Sequence, residues 1–175
     1  GRLALAPLVV QSGPGQVTLA GSVPVLADAG EWDLRGEVEA LELAPALALA
    51  GIAGGGPVTG TLRVEGPREA PRARADLDAR VVLDDGAGKD SEPIAVALAA
   101  SSEGGRVAVE RLAAEAAGGR VEGSGRLDVA TRALEAKAAA SGLDWARLPL
   151  LPEPLRRLGG TLLAEVSLGG TMEAP

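Results

Sequence analysis

The chain has 175 residues, 17 of them basic and 24 acidic, for a net charge of −7. It contains no His and no Cys, which excludes Ser-His-Asp and Cys-His nucleophilic sites, zinc fingers, and thiolate-bound haem or iron–sulfur centres. Hydrophobic residues make up 46% but aromatics only 1%, so the apolar surface is aliphatic, and neither the basic patch nor the stacking platform of a nucleic-acid-binding protein is present.

The length fits one domain of ordinary size, or about one and a half. Apolar residues recur at every second position in short segments separated by Gly, Pro or Asp clusters, the pattern of half-buried antiparallel strands. Segment 16–25 sets Val17, Leu19, Val23 and Val25 against Thr18, Ala20 and Ser22. Segment 31–40 sets Trp32, Leu34 and Val38 against Asp33, Arg35, Glu37 and Glu39. The Ala-rich stretch 44–53 reads as a short helix. Strands follow at 58–65 (Val58, Leu62, Val64) and at 72–83, where Ala73, Ala75, Leu77, Ala79, Val81 and Leu83 alternate with Arg and Asp. Further strands are expected at 93–99, 105–110, 120–129, 133–140 and 161–168. At 110–117, ERLAAEAA, the alternation fades and Ala favours helix. In 143–158, Asp144 can cap a short helix, but Pro149, Pro152 and Pro154 prevent a long one.

Residues 1–71 superimpose on 105–175 without gaps, matching Gly15/Gly119, Val17/Val121, Gly21/Gly125, Pro45/Pro149, Gly55/Gly159, Gly56/Gly160 and Glu69-Ala70-Pro71/Glu173-Ala174-Pro175. This predicts a repeat of 104 residues, with 72–104 as intervening strands, cut from a longer array of strand units that stack on one another. The opening GRLALAPLVV, with no initiator Met, fits such a piece.

Several motifs suggest chemistry and fail on spacing. Gly88-Lys89 lacks the Ser or Thr that a phosphate loop places after its Lys, and Leu83 stands where the first Gly belongs. Gly54-Gly55-Gly56-Pro57 leads into a strand rather than the helix a dinucleotide turn requires. Asp84, Asp85 and Asp90 match no calcium loop. The pairs Asp76/Asp78 and Glu37/Glu39 sit on a solvated, Arg-interleaved strand face. Trp32 and Trp145 read as core plugs, with membrane-interface anchors or ligand lids as the alternative. No enzyme activity, metal or cofactor is expected.

The run GGRVEGSGRLDV at 118–129, the loop-helix following Ser141-Gly142-Leu143-Asp144, and Gly159-Gly160 opening a strand that closes at Gly169-Gly170 resemble the AsmA-like superfamily, most closely its TamB (translocation and assembly module) branch. An earlier copy runs from Gly15 to Pro71, with Ala40-Leu41 in place of Asp144-Trp145. The resemblance implies a parent anchored in the inner membrane of a diderm bacterium and crossing the periplasm. It implies an interior that carries phospholipid acyl chains between the membranes, and a link to outer-membrane protein assembly through a TamA-like barrel. It implies no catalytic residues.

The expected fold is all-β and mainly antiparallel: an elongated curved sheet, β-taco-like or a solenoid groove, with a short helix in each repeat. The expected groove lining is Val17, Leu19, Val23, Leu34, Leu62, Val64, Leu77, Val81, Val121, Leu127, Val166 and Leu168. Alternation alone does not separate such a groove from a filled structural spacer, nor from a scaffold that pairs client outer-membrane strands along its sheet edges.

Overall fold

The computed structural model describes residues 2–25, 30–49, 51–84, 92–147, 154, 157 and 159–171. The alternating segments form eleven strands: β1 (Arg2–Ser12), β2 (Gly15–Pro24), β3 (Glu31–Glu42), β4 (Gly54–Gly55), β5 (Pro57–Pro67), β6 (Arg72–Leu83), β7 (Ile94–Glu103), β8 (Arg106–Ala116), β9 (Gly119–Asp128), β10 (Ala133–Asp144) and β11 (Thr161–Thr171). Ten of them form one antiparallel path in the order β1-β2-β3-β5-β6-β7-β8-β9-β10-β11, while β4 pairs with the end of β6. Apart from β4, each strand therefore pairs only with its neighbours along the path. The sheet is not closed into a barrel, so β1 and β11 are its two edges.

Two short helical pieces are described in full, and Pro154 is helical as well. Helix α1 (Ala44–Leu49) lies in the Ala-rich stretch before β4, and a single 3-10 turn spans Trp145–Arg147, where the Asp144 carboxylate accepts from the Ala146 N–H at 2.9 Å. This is the cap expected for the second loop-helix. Of the rest of that segment, 148–153, 155, 156 and 158 lie outside the described residues.

Residues 110–117 are not helical; the stretch to Ala116 belongs to β8. A β-bulge explains the misleading pattern. The β8–β9 register slips between Val109 and Leu112, so the apolar spacing stretches from two to three at that point and mimics a helical interval. Bulges also interrupt β1 between Leu5 and Leu8, β3 between Val38 and Leu41, and β10 between Ala140 and Leu143.

Three pairs of strands share their bounds at a displacement of 104: β1 with β8, β2 with β9, and β5 with β11. The fourth pair, β3 with β10, is displaced by 102, because the connection before β10 spans 129–132 whereas that before β3 spans 25–30. The gapless alignment is therefore two residues out of phase in this strand. A Cβ on Gly15 would lie 2.4 Å from the Ala40 carbonyl oxygen, and one on Gly119 would lie 2.3 Å from the Leu143 nitrogen. In both sets the same glycine lets β2 or β9 press against the bulge of the following strand.

Among the described residues no second layer covers the sheet. Among the described residues no polar or charged residue is buried, and no side chain is fully buried. The buried aliphatics Val38, Val58, Val81, Leu83 and Leu143 lie toward the end of the strands where α1 and the 3-10 turn sit. The accessible surface is 11444 Å². A compact monomer of this size exposes about 7,900 Å².

Candidate functional site

The ladder registers place every predicted lining residue on one face. Directly paired residues project to the same side of a sheet, so a row can be followed from strand to strand. One row runs Val10, Val17, Val38, Gly60, Leu77, Leu98, Leu112, Gly123, Ala138 and Val166. The adjacent row contains Leu8, Leu19, Gly36, Leu62 and Ala75, and ends at Ala136 and Leu168. A third contains Leu5, Leu34, Val64, Val107, Leu127 and Leu134. Val23 joins the face opposite Leu3, Val81 opposite Ile94, and Val121 opposite Ala114 and Ala140. Among the described residues these rows contain no acidic or basic side chain, and Ser102 is their one hydroxyl.

Burial along this face is uneven. In β3, the site of a Cβ on Gly36 is crowded by Leu19 Cδ2 at 3.0 Å and Leu62 Cβ at 3.1 Å, so neighbouring leucines fill the gap that glycine leaves. In β9 the neighbouring side chains stand further off. A Cβ on Gly123 would have the Lys137 carbonyl oxygen at 3.2 Å and Leu112 Cδ2 at 3.7 Å, and one on Gly125 would have the Glu135 carbonyl oxygen at 3.0 Å and Ala136 Cβ at 3.4 Å. The result is a trough of about 360 Å³ across β8–β11, floored by Gly123 and Gly125 and walled by Val107, Val109, Leu112, Leu127, Leu134, Val166 and Leu168. Val166 and Leu168 remain 54% and 45% exposed at its outer wall.

Of the predicted lining, Leu127, Val166 and Leu168 border this trough. The other nine occupy the rest of the same face and are half-buried, apart from Val81, which is buried. Leu112 was missed because its segment read as helix. The two glycines carried a legible signal: each stands at the apolar parity of a strand, where the missing side chain leaves a notch.

The opposite face is charged and solvated. Arg63 and Glu65 pair at 2.7 Å, Arg74 and Asp76 at 3.2 Å, and Arg120 and Glu122 at 2.7 Å along their strands; Arg72–Glu103 at 2.6 Å and Arg106–Asp128 at 3.3 Å pair across strands. Side chains this exposed contribute little to stability individually. They keep this face in water. Arg35, Arg63 and Arg74 stand directly opposite one another, and their carboxylate partners Asp33, Glu65 and Asp76 offset that repulsion.

Two carboxylates are shifted, and both organise turns. Glu42 is held below its ordinary value by the backbone N–H groups of Gly56 and Ala44, to which its Oε1 is bonded at 2.5 and 3.2 Å. It thereby ties the start of α1 to the entry of β5. Asp128 is held down first by the Thr131 N–H and then by Arg106, and its Oδ1 also accepts from the Ala130 N–H. Asp76 of the suspected carboxylate pairs is bound to Arg74, and Glu39 accepts a hydrogen bond from Gln16.

Gly54-Gly55 is strand β4 and pairs with Leu83 and Val82. Residues 85–91, with Gly88-Lys89, Asp85 and Asp90, lie outside the described residues, as does the Trp145 side chain. Trp32 lies opposite Gly66 at one end of the apolar face, its indole N–H buried without a partner among the described residues. No metal-binding cluster of acidic side chains occurs among the described residues, and no helix there is long and apolar enough to cross a membrane. Comparison with family models, curated proteins and solved structures found no match.

Proposed function

We propose that this chain is a non-catalytic envelope segment whose aliphatic sheet face binds phospholipid acyl chains for transport between the inner and outer membranes of a diderm bacterium. The observation that carries the reading is an uncharged, mainly aliphatic face over which no second layer lies among the described residues, opening into the trough floored by Gly123 and Gly125. Removing hydrocarbon from water stabilises by about 0.8 kcal/mol per methylene and needs no directional partner. A lining of Leu, Val and Ala therefore holds an acyl chain without fixing its position, while the headgroup stays in water. The periplasmic setting, the inner-membrane anchor of the parent and the link to outer-membrane protein assembly through a TamA-like barrel rest on the TamB resemblance alone and belong to the same proposal.

The test is lipid content. The protein is purified under mild conditions, extracted, and analysed by mass spectrometry beside a mock purification. Stoichiometric phospholipid absent from the control is expected, with Leu127→Asp and Leu77→Asp reducing it in folded protein. A lipid-free, stable wild-type chain would point instead to a structural spacer.

A further inference from the structure

We propose that the sheet carries one hydrocarbon site twice, open in β8–β11 and filled by its own leucines in β1, β2, β3 and β5, so that the side chains facing two glycines decide which unit holds an acyl chain. The inference rests on the acyl-chain reading above and names the residues that select the site. The two units share their ladders pair by pair. In the first, Leu8 faces Leu19, Leu19 faces Gly36 and Gly36 faces Leu62; in the second, Leu112 faces Gly123, Gly123 faces Ala138 and Ala138 faces Val166. In the next row Leu5, Gly21, Leu34 and Val64 match Val109, Gly125, Ala136 and Leu168. Every match is displaced by 104, or by 102 in β3 and β10, and the bulges between Leu5 and Leu8 and between Val109 and Leu112 coincide. The backbone is therefore laid out alike in both units, and their floors differ in side chains.

In the first unit each floor glycine faces a leucine, Gly36 against Leu19 and Gly21 against Leu34. Gly36 is buried, with Leu19 Cδ2 and Leu62 Cβ at 3.0 and 3.1 Å from the place of its missing Cβ. In the second unit each floor glycine faces an alanine, Gly123 against Ala138 and Gly125 against Ala136. Ala138, which stands where Gly36 does, is exposed, and the volume its neighbours leave unfilled is the trough of about 360 Å³. A hydrocarbon chain on the first floor would rest on top of leucines, whereas on the second it sinks between the walls and buries more of its surface.

The floor also selects the kind of occupant. β9 is hydrogen-bonded along both edges, to β8 and to β10, so an extended peptide lying in the trough finds no strand edge to pair with there. Its own amides would be buried against aliphatic walls without partners, which is costly. An acyl chain brings no such groups. Within the trough the aliphatic lining is permissive; what is specified is the unit, through the residues at 19, 34 and 36 in one and at 123, 136 and 138 in the other.

Photolabelling of the 175-residue chain with a diazirine-bearing palmitic acid, followed by digestion and mass spectrometry, locates the bound chain. In wild type the label should fall in 106–171 at least about tenfold more than in 2–67, the difference that burying two further methylenes would make. Gly123→Leu with Ala136→Leu and Ala138→Gly gives the second unit the floor of the first and should cut labelling of 106–171 at least about tenfold. Leu19→Gly with Leu34→Ala and Gly36→Ala gives the first unit the floor of the second and should bring label into 2–67 at a level comparable to that in 106–171. Each triple installs a floor with which the same chain already folds, and circular dichroism checks the sheet. Ala136→Leu alone, facing Gly125 as Leu34 faces Gly21, should lower the label in 106–171 severalfold and carries the test if a triple does not fold. Wild-type label shared evenly between the units, or label in 106–171 that the filling substitutions leave unchanged, overturns this inference while the acyl-chain reading stands. A wild-type chain that takes no label overturns that reading and this inference with it.

Discussion

Filling the notch in β9 offers a direct measure of whether the trough holds hydrocarbon. Gly123 has no left-handed backbone angle to preserve, and an added Cβ meets one carbonyl oxygen at 3.2 Å and Leu112 Cδ2 at 3.7 Å, so the strand accepts a side chain with little adjustment. Val suits a strand, and its branched carbons would stand in the trough. Gly123→Val adds three carbons. If each displaces about one methylene of a bound chain at about 0.8 kcal/mol, affinity falls by about 2.4 kcal/mol, or roughly 60-fold; Gly123→Ala should cost about fourfold. Displacement of a fluorescent fatty acid, titrated against wild type, reads both numbers, and Thr61→Val, on the opposite face and outside the trough lining, serves as a control that should leave affinity unchanged. The reasoning is refuted if Gly123→Val, with a normal thermal transition, binds the probe as tightly as wild type.

Gly119→Ala should behave very differently from Gly123→Ala. Its Cβ would lie within 2.5 Å of three backbone atoms of residues 141–143, and the sheet must open to admit it, which should destabilise by about 3 kcal/mol. The urea midpoint should drop by 1 M or more at an m-value of about 2–3 kcal/mol/M, while Gly123→Ala stays within about 0.5 kcal/mol of wild type. Acid should loosen the α1 and β9–β10 turns. Glu42 and Asp128 are held below their ordinary values, so their contribution is complete above about pH 5 and is lost as pH falls through the lowered native values. Glu42→Gln should lower stability at neutral pH and flatten its decline between about pH 5 and 2 in denaturant titrations at stepped pH.

The all-β fold was legible because most strands have one solvated face. Residues 72–83 alternate Ala or Leu with Arg or Asp over a dozen positions, and they form β6 in that register. Legibility failed where the alternation slips. β1 was not picked out as a strand because the bulge between Leu5 and Leu8 and the run Leu8-Val9-Val10 erase its period. The second half of β8, from Glu110, resembled a helix for the same reason. The lining of the apolar face followed from parity alone, whereas the trough required knowing what stands opposite each glycine. Gly36 and Gly123 look alike in sequence, but Leu19 and Leu62 close over the first while the second stays open.

In the ten-strand path every ladder joins strands that follow one another along the chain, β4 aside, and the two longest connections inside it, 145–160 between β10 and β11 and 43–56 between β3 and β5, hold the 3-10 turn and α1 with β4. Contacts of this kind close only short loops, so forming each new strand costs little chain entropy and waits for no distant partner. The sheet can therefore grow in the order in which the polypeptide emerges, each hairpin adding to a finished edge. A chain delivered end first into a compartment would acquire its apolar face progressively, one strand at a time, rather than in a single collapse.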